Sequence, residues 1–270
     1  MSISFKPILD SLGAEISGLD LHREITPEEG AALRDAFSRY HLLLMRDLDI
    51  SAQEQSRFAR VFGEITIRNG IATDAQPERG TQYISNTRKD GYLGNGELKF
   101  HQDHTFHETL LRGLMLYGME IPKSGSQTKF RSCKSMYAAM SPDQRRRAEP
   151  VKCLHLFDLE AEDYSVDIDL EKLSDRVLRA WQPLIWTNPE TGDRAPWVVQ
   201  WSTVDYQGID RVGGKALLDE LWETFEEKVE EYVHDWRVGD LLLWSNRMAQ
   251  HARLPFDSSE ARTLRRTPLL

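Results

Sequence analysis

The chain has 270 residues, 40% of them hydrophobic and 29% charged, enough for one large β-rich domain or two smaller ones around a sizeable core. A formal net charge of −9 excludes non-specific nucleic-acid binding, which needs Lys and Arg to neutralise phosphates, and no apolar run nears the roughly 20 residues that cross a bilayer. The opening MSISFKPILDSLGAEISG lacks the basic and apolar regions of a signal peptide, so the expected setting is cytoplasmic, with neither a membrane nor a nucleic acid as partner. Two cysteines, Cys133 and Cys153, are too few for a disulfide scaffold or a thiolate metal site. Any metal must be held by His, Asp and Glu.

In chain order, SLGAEISGLDL suits a short strand and turn, with Gly13 and Gly18 set between apolar residues. Thr26-Pro27-Glu28-Glu29 offers an N-cap, a proline at the first helical position and acidic residues in the first turn, predicting a helix to about Tyr40. HLLLMR then reads as a buried strand, and Ser51 caps a second helix through about Val61. Residues 66–98 are rich in Gly, Asn, Asp and Thr and read as a long, lid-like loop with one strand around 82–84. From Lys99 onward short β-type runs alternate with turns: LKFHQDHTF, GLMLYGMEI, SQTKFRS, CLHLFD, PLIWTN, WVVQW, DLLLWSN and RTLRRT. Helices are expected near 135–147, broken at Pro142, and near 214–232, the latter strongly charged. Many short strands with sparse helices predict a mainly β domain, a sandwich or barrel decorated by helices, and no linker or repeat divides it. A single domain over 1–270 is the expectation.

The densest polar cluster is His101-Gln102-Asp103-His104-Thr105-Phe106-His107-Glu108. If this is a strand, His101 and Asp103 project to one side and can hold adjacent corners of one metal, while His104 faces away. The third ligand must come from elsewhere, and His251, after GDLLLWSNRMAQ, is the best candidate. Two imidazoles and a carboxylate make the facial set of non-haem Fe(II) oxygenases, with three coordination positions left for a 2-oxo acid and O2. Arg262 lies eleven residues beyond His251 and Arg266 four further on. On a strand they share a face with Arg265 opposite, and a pocket arginine can clamp a carboxylate with two parallel hydrogen bonds.

These residues together resemble the TauD/TfdA family of Fe(II)/2-oxoglutarate-dependent dioxygenases. The resemblance is carried by LGAEISGLDL, FHQDHTF, NPETG (188–192), GDLLLWSNRMAQH and the His…Arg…Arg ending, whose order and spacing agree along nearly the whole chain. It implies a double-stranded β-helix, a jelly-roll or cupin-like core with Fe(II) at its open end, and His101, Asp103 and His251 as the catalytic iron ligands. It further implies that Thr128 and Arg262 bind 2-oxoglutarate, that Trp244 lines the same pocket, and that Arg266 meets an anionic group of the substrate. His107 and Asn95 are further substrate candidates, although Asn95 also suits a turn, and the tryptophans are core by default, with the substrate mouth as the alternative place for Trp197 and Trp201. Gln102 between the ligands departs from the small or hydroxyl residue common in the family, so the substrate does not carry over from taurine or aryloxyacetate oxygenases. Asp103 is intact, which argues against a halogenase. The implied reaction oxidises a small, anionic or amino-acid-derived molecule with O2 as cosubstrate and releases succinate and CO2. A homo-oligomer, dimer or tetramer, is in keeping with the resemblance. The competing readings are a non-catalytic sandwich that binds a small carboxylate and a zinc hydrolase, which would leave Arg262 and Thr128 without a task.

Overall fold

The computed structural model describes residues 3–67, 70–71, 81–92, 96–157, 170–174 and 177–270. The two N-terminal helices form where their caps predict. Helix α1 (Pro27–Tyr40) opens on a capping box between Thr26 and Glu29, and α2 (Ala52–Ala59) on one between Ser51 and Glu54. Each box satisfies backbone N–H groups that an α-helix leaves without an internal partner.

Strands make up most of the remaining regular structure. An eight-stranded sheet runs in the order β1 (Ser4–Pro7), β2 (Ala14–Ser17), β3 (Leu42–Met45), β17 (Leu241–Ser245), β9 (Gly113–Glu120), β19 (Thr263–Leu269), β6 (Gln82–Ser85) and β7 (Gly91–Tyr92). A four-stranded sheet runs β16 (Glu231–His234), β10 (Thr128–Ser132), β18 (Ala249–Arg253) and β8 (Leu98–His101). β11 (Lys152–Phe157) lies between β12 (Leu178–Pro183) and β15 (Thr203–Gln207). Two short hairpins complete the strands, β13 (Ile185–Thr187) with β14 (Arg194–Pro196) and β4 (Thr66–Ile67) with β5 (Gly70–Ile71).

The layering follows from which side chains are apolar. Leu114, Leu116, Leu242, Trp244 and Leu264 of the larger sheet form one buried cluster with Phe130 and Ala249 of the smaller, joining the two layers. On the other face of the larger sheet, Met115, Tyr117 and Leu243 meet Leu33 and Phe37 of α1 and Phe58 of α2. A further cluster joins α3 (Cys133–Ala139) to α5 (Arg211–Lys228), next to α4 (Pro142–Ala148), through Met136, Leu217, Leu221 and Phe225. Each fully buried Leu or Phe contributes on the order of 1.5–3 kcal/mol, so these clusters fix the sheets relative to each other. The result is a double-stranded β-helix whose sheets are not closed.

Several expectations change. The charged helix ends at Lys228 and residues 231–234 form β16, whose Glu231, Tyr232, Val233 and His234 pair antiparallel with β10. Partnership with a sheet edge overrides the helix-like charge pattern there. WVVQW (197–201) is not a strand. Its backbone is held by Trp197 N–H to the Leu184 carbonyl (2.8 Å) and by the Gln250 side-chain amide to the Val198 carbonyl (2.7 Å). Most consequential, β8 ends at His101, so Asp103 lies in a turn rather than on the same strand.

Candidate active site

Strand register brings the two histidines together. His101, the last residue of β8, is the cross-strand partner of His251 in β18, and their ring centroids stand 4.3 Å apart. Asp103 reaches the pair through the turn. Its backbone N–H donates to Asn246 Oδ1 (2.8 Å), and Asn246 Nδ2 donates back to the Asp103 carbonyl (2.8 Å). His104 follows in the left-handed region (φ 64°), which bends the chain away immediately after the carboxylate. His104 therefore sits in a turn, not on the back of a strand.

The outcome is one cluster in which a nitrogen of each histidine and an oxygen of Asp103 all lie within 4.8 Å of one another. Asp103 Oδ1 is 3.1 Å from His101 Nε2 and 3.6 Å from His251 Nε2. The His101, Asp103 and His251 side chains are 10%, 21% and 12% exposed, so a small ligand can reach the cluster from one side. His101 Nδ1 lies 2.7 Å from the Lys99 carbonyl, which accepts from it. In the tautomer with the proton on Nδ1, Nε2 presents a lone pair toward a carboxylate oxygen. Two facing acceptors repel unless a cation lies between them, and orienting a metal-binding imidazole through its other nitrogen is a recurrent device. Burial and then His101 push the His251 imidazole down to about 3, keeping it neutral. Burial alone would raise the Asp103 carboxyl, but the charge of Arg266 beside it holds it well below the usual carboxylate range. Neutral imidazoles and an ionised carboxylate are the donors a divalent metal requires.

A second locus lies along β10, β18 and the start of β19. Arg262 is 2% exposed, and its Nε and Nη1 have no hydrogen-bond partner among the described residues. Burial and then Arg253 push its guanidinium down to about 9, so it is charged at neutral pH. A buried charge without a partner is strongly unfavourable, which makes this a place for an anion. Thr128 is the cross-strand partner of Arg253, and the guanidinium carbons of Arg253 and Arg262 lie 5.8 and 5.6 Å from the Phe256 ring centroid. Thr128 Oγ1 accepts from Trp236 Nε1 at 2.9 Å, which leaves the hydroxyl proton free to be donated elsewhere. The turn that delivers Thr128 needs Gly125, at φ +75°, where a Cβ would lie 2.5 Å from the Pro255 carbonyl oxygen. Trp244, 1% exposed, packs 4.9 Å from His251 and 5.3 Å from Phe130, ring centroid to centroid.

The residues assigned to substrate fare differently. Arg266 faces Asp103, with Nη2 2.6 Å from Oδ2 and Nη1 2.5 Å from Gln82 Oε1, to which the Tyr92 hydroxyl also donates (2.8 Å). His107 packs at a tilt against His104 and Phe106, with ring centroids 5.0 and 4.9 Å apart, beside the stacked Phe106–Phe157 pair, and is not part of the three-residue cluster. Asn95 lies outside the described residues. Trp201 stands edge-on to His101 at 5.8 Å, whereas Trp197 is core, stacked on Trp186 with its N–H bonded to the Arg247 carbonyl. A cavity of about 1000 Å³ lies against the outer face of the smaller sheet and α5, lined by Phe100, Lys129, Trp201 and Trp222. None of the three clustered ligand residues lines it, so the chemistry is assigned to the cluster, not to this groove. Sequence reasoning missed Asn246, Gln82 and Trp236. The turn-forming SNR after β17 was the only signal for Asn246, and nothing local marked the other two.

A model of the taurine catabolism dioxygenase TauD, TfdA family matches residues 4–267. Pentalenolactone F synthase of Streptomyces avermitilis is 27% identical, across 95% of this chain and 90% of that protein. The alpha-ketoglutarate-dependent 2,4-dichlorophenoxyacetate dioxygenase of Cupriavidus pinatubonensis is 26% identical, across 100% of this chain and 98% of its own. Among solved structures, a taurine dioxygenase from Burkholderia xenovorans superposes with a TM-score of 0.78 at 27% identity, covering 100% of this chain and 91% of that one.

Proposed function

The chain belongs to the TauD, TfdA dioxygenase family, and from that premise we propose that His101, Asp103 and His251 hold the iron, that Thr128, Arg262 and Trp244 form the 2-oxoglutarate pocket, and that residues 1–270 act as one catalytic domain. The protein is an Fe(II)- and 2-oxoglutarate-dependent dioxygenase acting on a small molecule. When bound, the metal and 2-oxoglutarate would supply the chemistry by which O2 is reduced, coupling oxidation of the substrate to conversion of 2-oxoglutarate into succinate and CO2.

The observation that carries the residue assignment is the pairing of a ready-made two-His, one-carboxylate cluster with an orphaned buried guanidinium. The cluster's three donors leave room for a bidentate 2-oxo acid. Arg262 supplies a buried charge and unpartnered N–H groups for a distal carboxylate, and Thr128 adds a hydroxyl proton directed by Trp236. Trp244 and Phe130 wall off water behind His251, which strengthens each of these contacts. A zinc hydrolase would leave Arg262 unpartnered, and a passive carboxylate-binding sandwich gives no reason for two imidazoles and a carboxylate to converge.

The substrate we propose is anionic or amino-acid-derived and enters on the side of Arg266 and His107, and the enzyme works in the cytoplasm. None of the described helices is long and apolar enough to cross a membrane. The test is to add Fe(II) and 2-oxoglutarate anaerobically to the metal-free protein and record the visible spectrum. A weak charge-transfer band, absent in His251→Ala and Arg262→Met, is the expected result. If those variants give the parent's band, the assigned residues are wrong.

A further inference from the structure

Asp103 presents its two oxygens to different neighbours. Oδ1 sits among the imidazole nitrogens at 3.1 and 3.6 Å, while Oδ2 accepts a 2.6 Å hydrogen bond from Arg266 Nη2. The backbone of Asp103 is already fixed by the reciprocal bonds with Asn246, so the remaining freedom is rotation of the carboxylate itself. Arg266 removes that freedom from a rigid base. It lies in β19, paired on one side with Leu116 of β9 and on the other with Gln82 of β6, and it is 4% exposed. Its Nη1 is anchored on Gln82 Oε1, itself held by the Tyr92 hydroxyl.

Building on the metal assignment above, we propose that Arg266 is a positioning residue that reserves Asp103 Oδ2, so that the metal takes Oδ1 alone and the coordination positions needed by 2-oxoglutarate stay open. A carboxylate can bind a cation through one oxygen or two. With both imidazoles and both oxygens engaged, a six-coordinate metal keeps two free positions instead of three, too few for a chelating 2-oxo acid and O2 together. The charges predict an unusual sign. Arg266 opposes a divalent cation by its charge and occupies one oxygen of Asp103 by its hydrogen bond, so its removal leaves metal affinity equal or greater while 2-oxoglutarate affinity falls. A residue that only anchored substrate would alter neither quantity when substrate is absent.

The experiment uses the full chain without substrate. Mn(II) affinity is measured calorimetrically, and Fe(II)·2-oxoglutarate formation is followed anaerobically by the visible band, for the parent, Arg266→Met and Arg266→Lys. In Arg266→Met, Mn(II) binding is expected to be as tight as in the parent or tighter, with 2-oxoglutarate binding weakened about tenfold or more. Arg266→Lys, which keeps a cationic donor, recovers part of that loss and keeps the test alive should the Met variant fail to fold. Unchanged 2-oxoglutarate binding in Arg266→Met, a Lys variant no better than Met, or Mn(II) affinity that collapses would each overturn the proposal. A parent that itself gives no band would instead sink the iron and 2-oxoglutarate assignment.

Discussion

Arg262 and Arg266 stand four residues apart, at the threshold of β19 and within it, and both are nearly sealed from solvent at 2% and 4% exposure. Arg266 is fully engaged by the protein, through Asp103 and Gln82, whereas two nitrogens of Arg262 face no partner among the described residues. Between them Arg265 turns to the other face of the sheet, where it bonds Gln55 Oε1 (2.6 Å) and the Ile50 carbonyl (2.7 Å) and lies over the Tyr117 ring. Three buried guanidiniums on one short segment thus differ in their counterparts: the proposed distal carboxylate for Arg262, the proposed metal ligand Asp103 for Arg266, and the fold itself for Arg265. Burial alone does not separate them; the state of their hydrogen bonds does.

The comparison can be broken in order of expected effect. Asp103→Ala, which removes the oxygen at the centre of the cluster, should reduce succinate formation to background in a coupled assay, and full turnover would strike Asp103 from the ligand set. Arg262→Met should weaken 2-oxoglutarate binding by roughly 2–5 kcal/mol, the usual loss when a buried charge pair is cut, with Mn(II) affinity unaltered. Calorimetry reads both, and a loss confined to metal binding would take Arg262 out of the 2-oxoglutarate pocket. Arg265→Met should lower stability by about 1–3 kcal/mol in denaturant unfolding while cosubstrate binding holds, because it leaves the buried Gln55 and Ile50 acceptors without a donor. A larger effect on binding than on unfolding would erase the distinction. Thr128→Val should cost about 1 kcal/mol of 2-oxoglutarate affinity. Trp236→Phe, by releasing the Thr128 hydroxyl from its acceptor role, should cost less than that, and an effect exceeding Thr128→Val would place Trp236 itself against the cosubstrate.

Much of this was legible in the sequence where the signal is local. Thr26 and Ser51 announced their capping boxes, and the apolar runs at 42–45, 113–120 and 241–245 became neighbouring strands. His101, Asp103 and His251 do converge, but not by the route expected: strand alternation was invoked for His101 and Asp103, whereas a turn stapled by Asn246, 143 residues away, does the placing. Contacts of that separation leave no local periodicity, and for the same reason Gln82 behind Arg266 was invisible. The edge strand β16 hid within an acidic helical pattern because its partner, β10, lies a hundred residues earlier.

The reciprocal bonds between Asn246 and Asp103 have a consequence for handling the protein. They tie the turn carrying one proposed ligand to the connection that leads into the strand carrying another, so contacts of the chain itself hold the cluster together. Unlike small zinc modules, which unfold when stripped, this protein should tolerate chelation, keep a single cooperative melt, and accept a spectroscopically useful cation such as Co(II) by simple dialysis. Each batch can then be emptied and reloaded with a metal chosen for the measurement at hand.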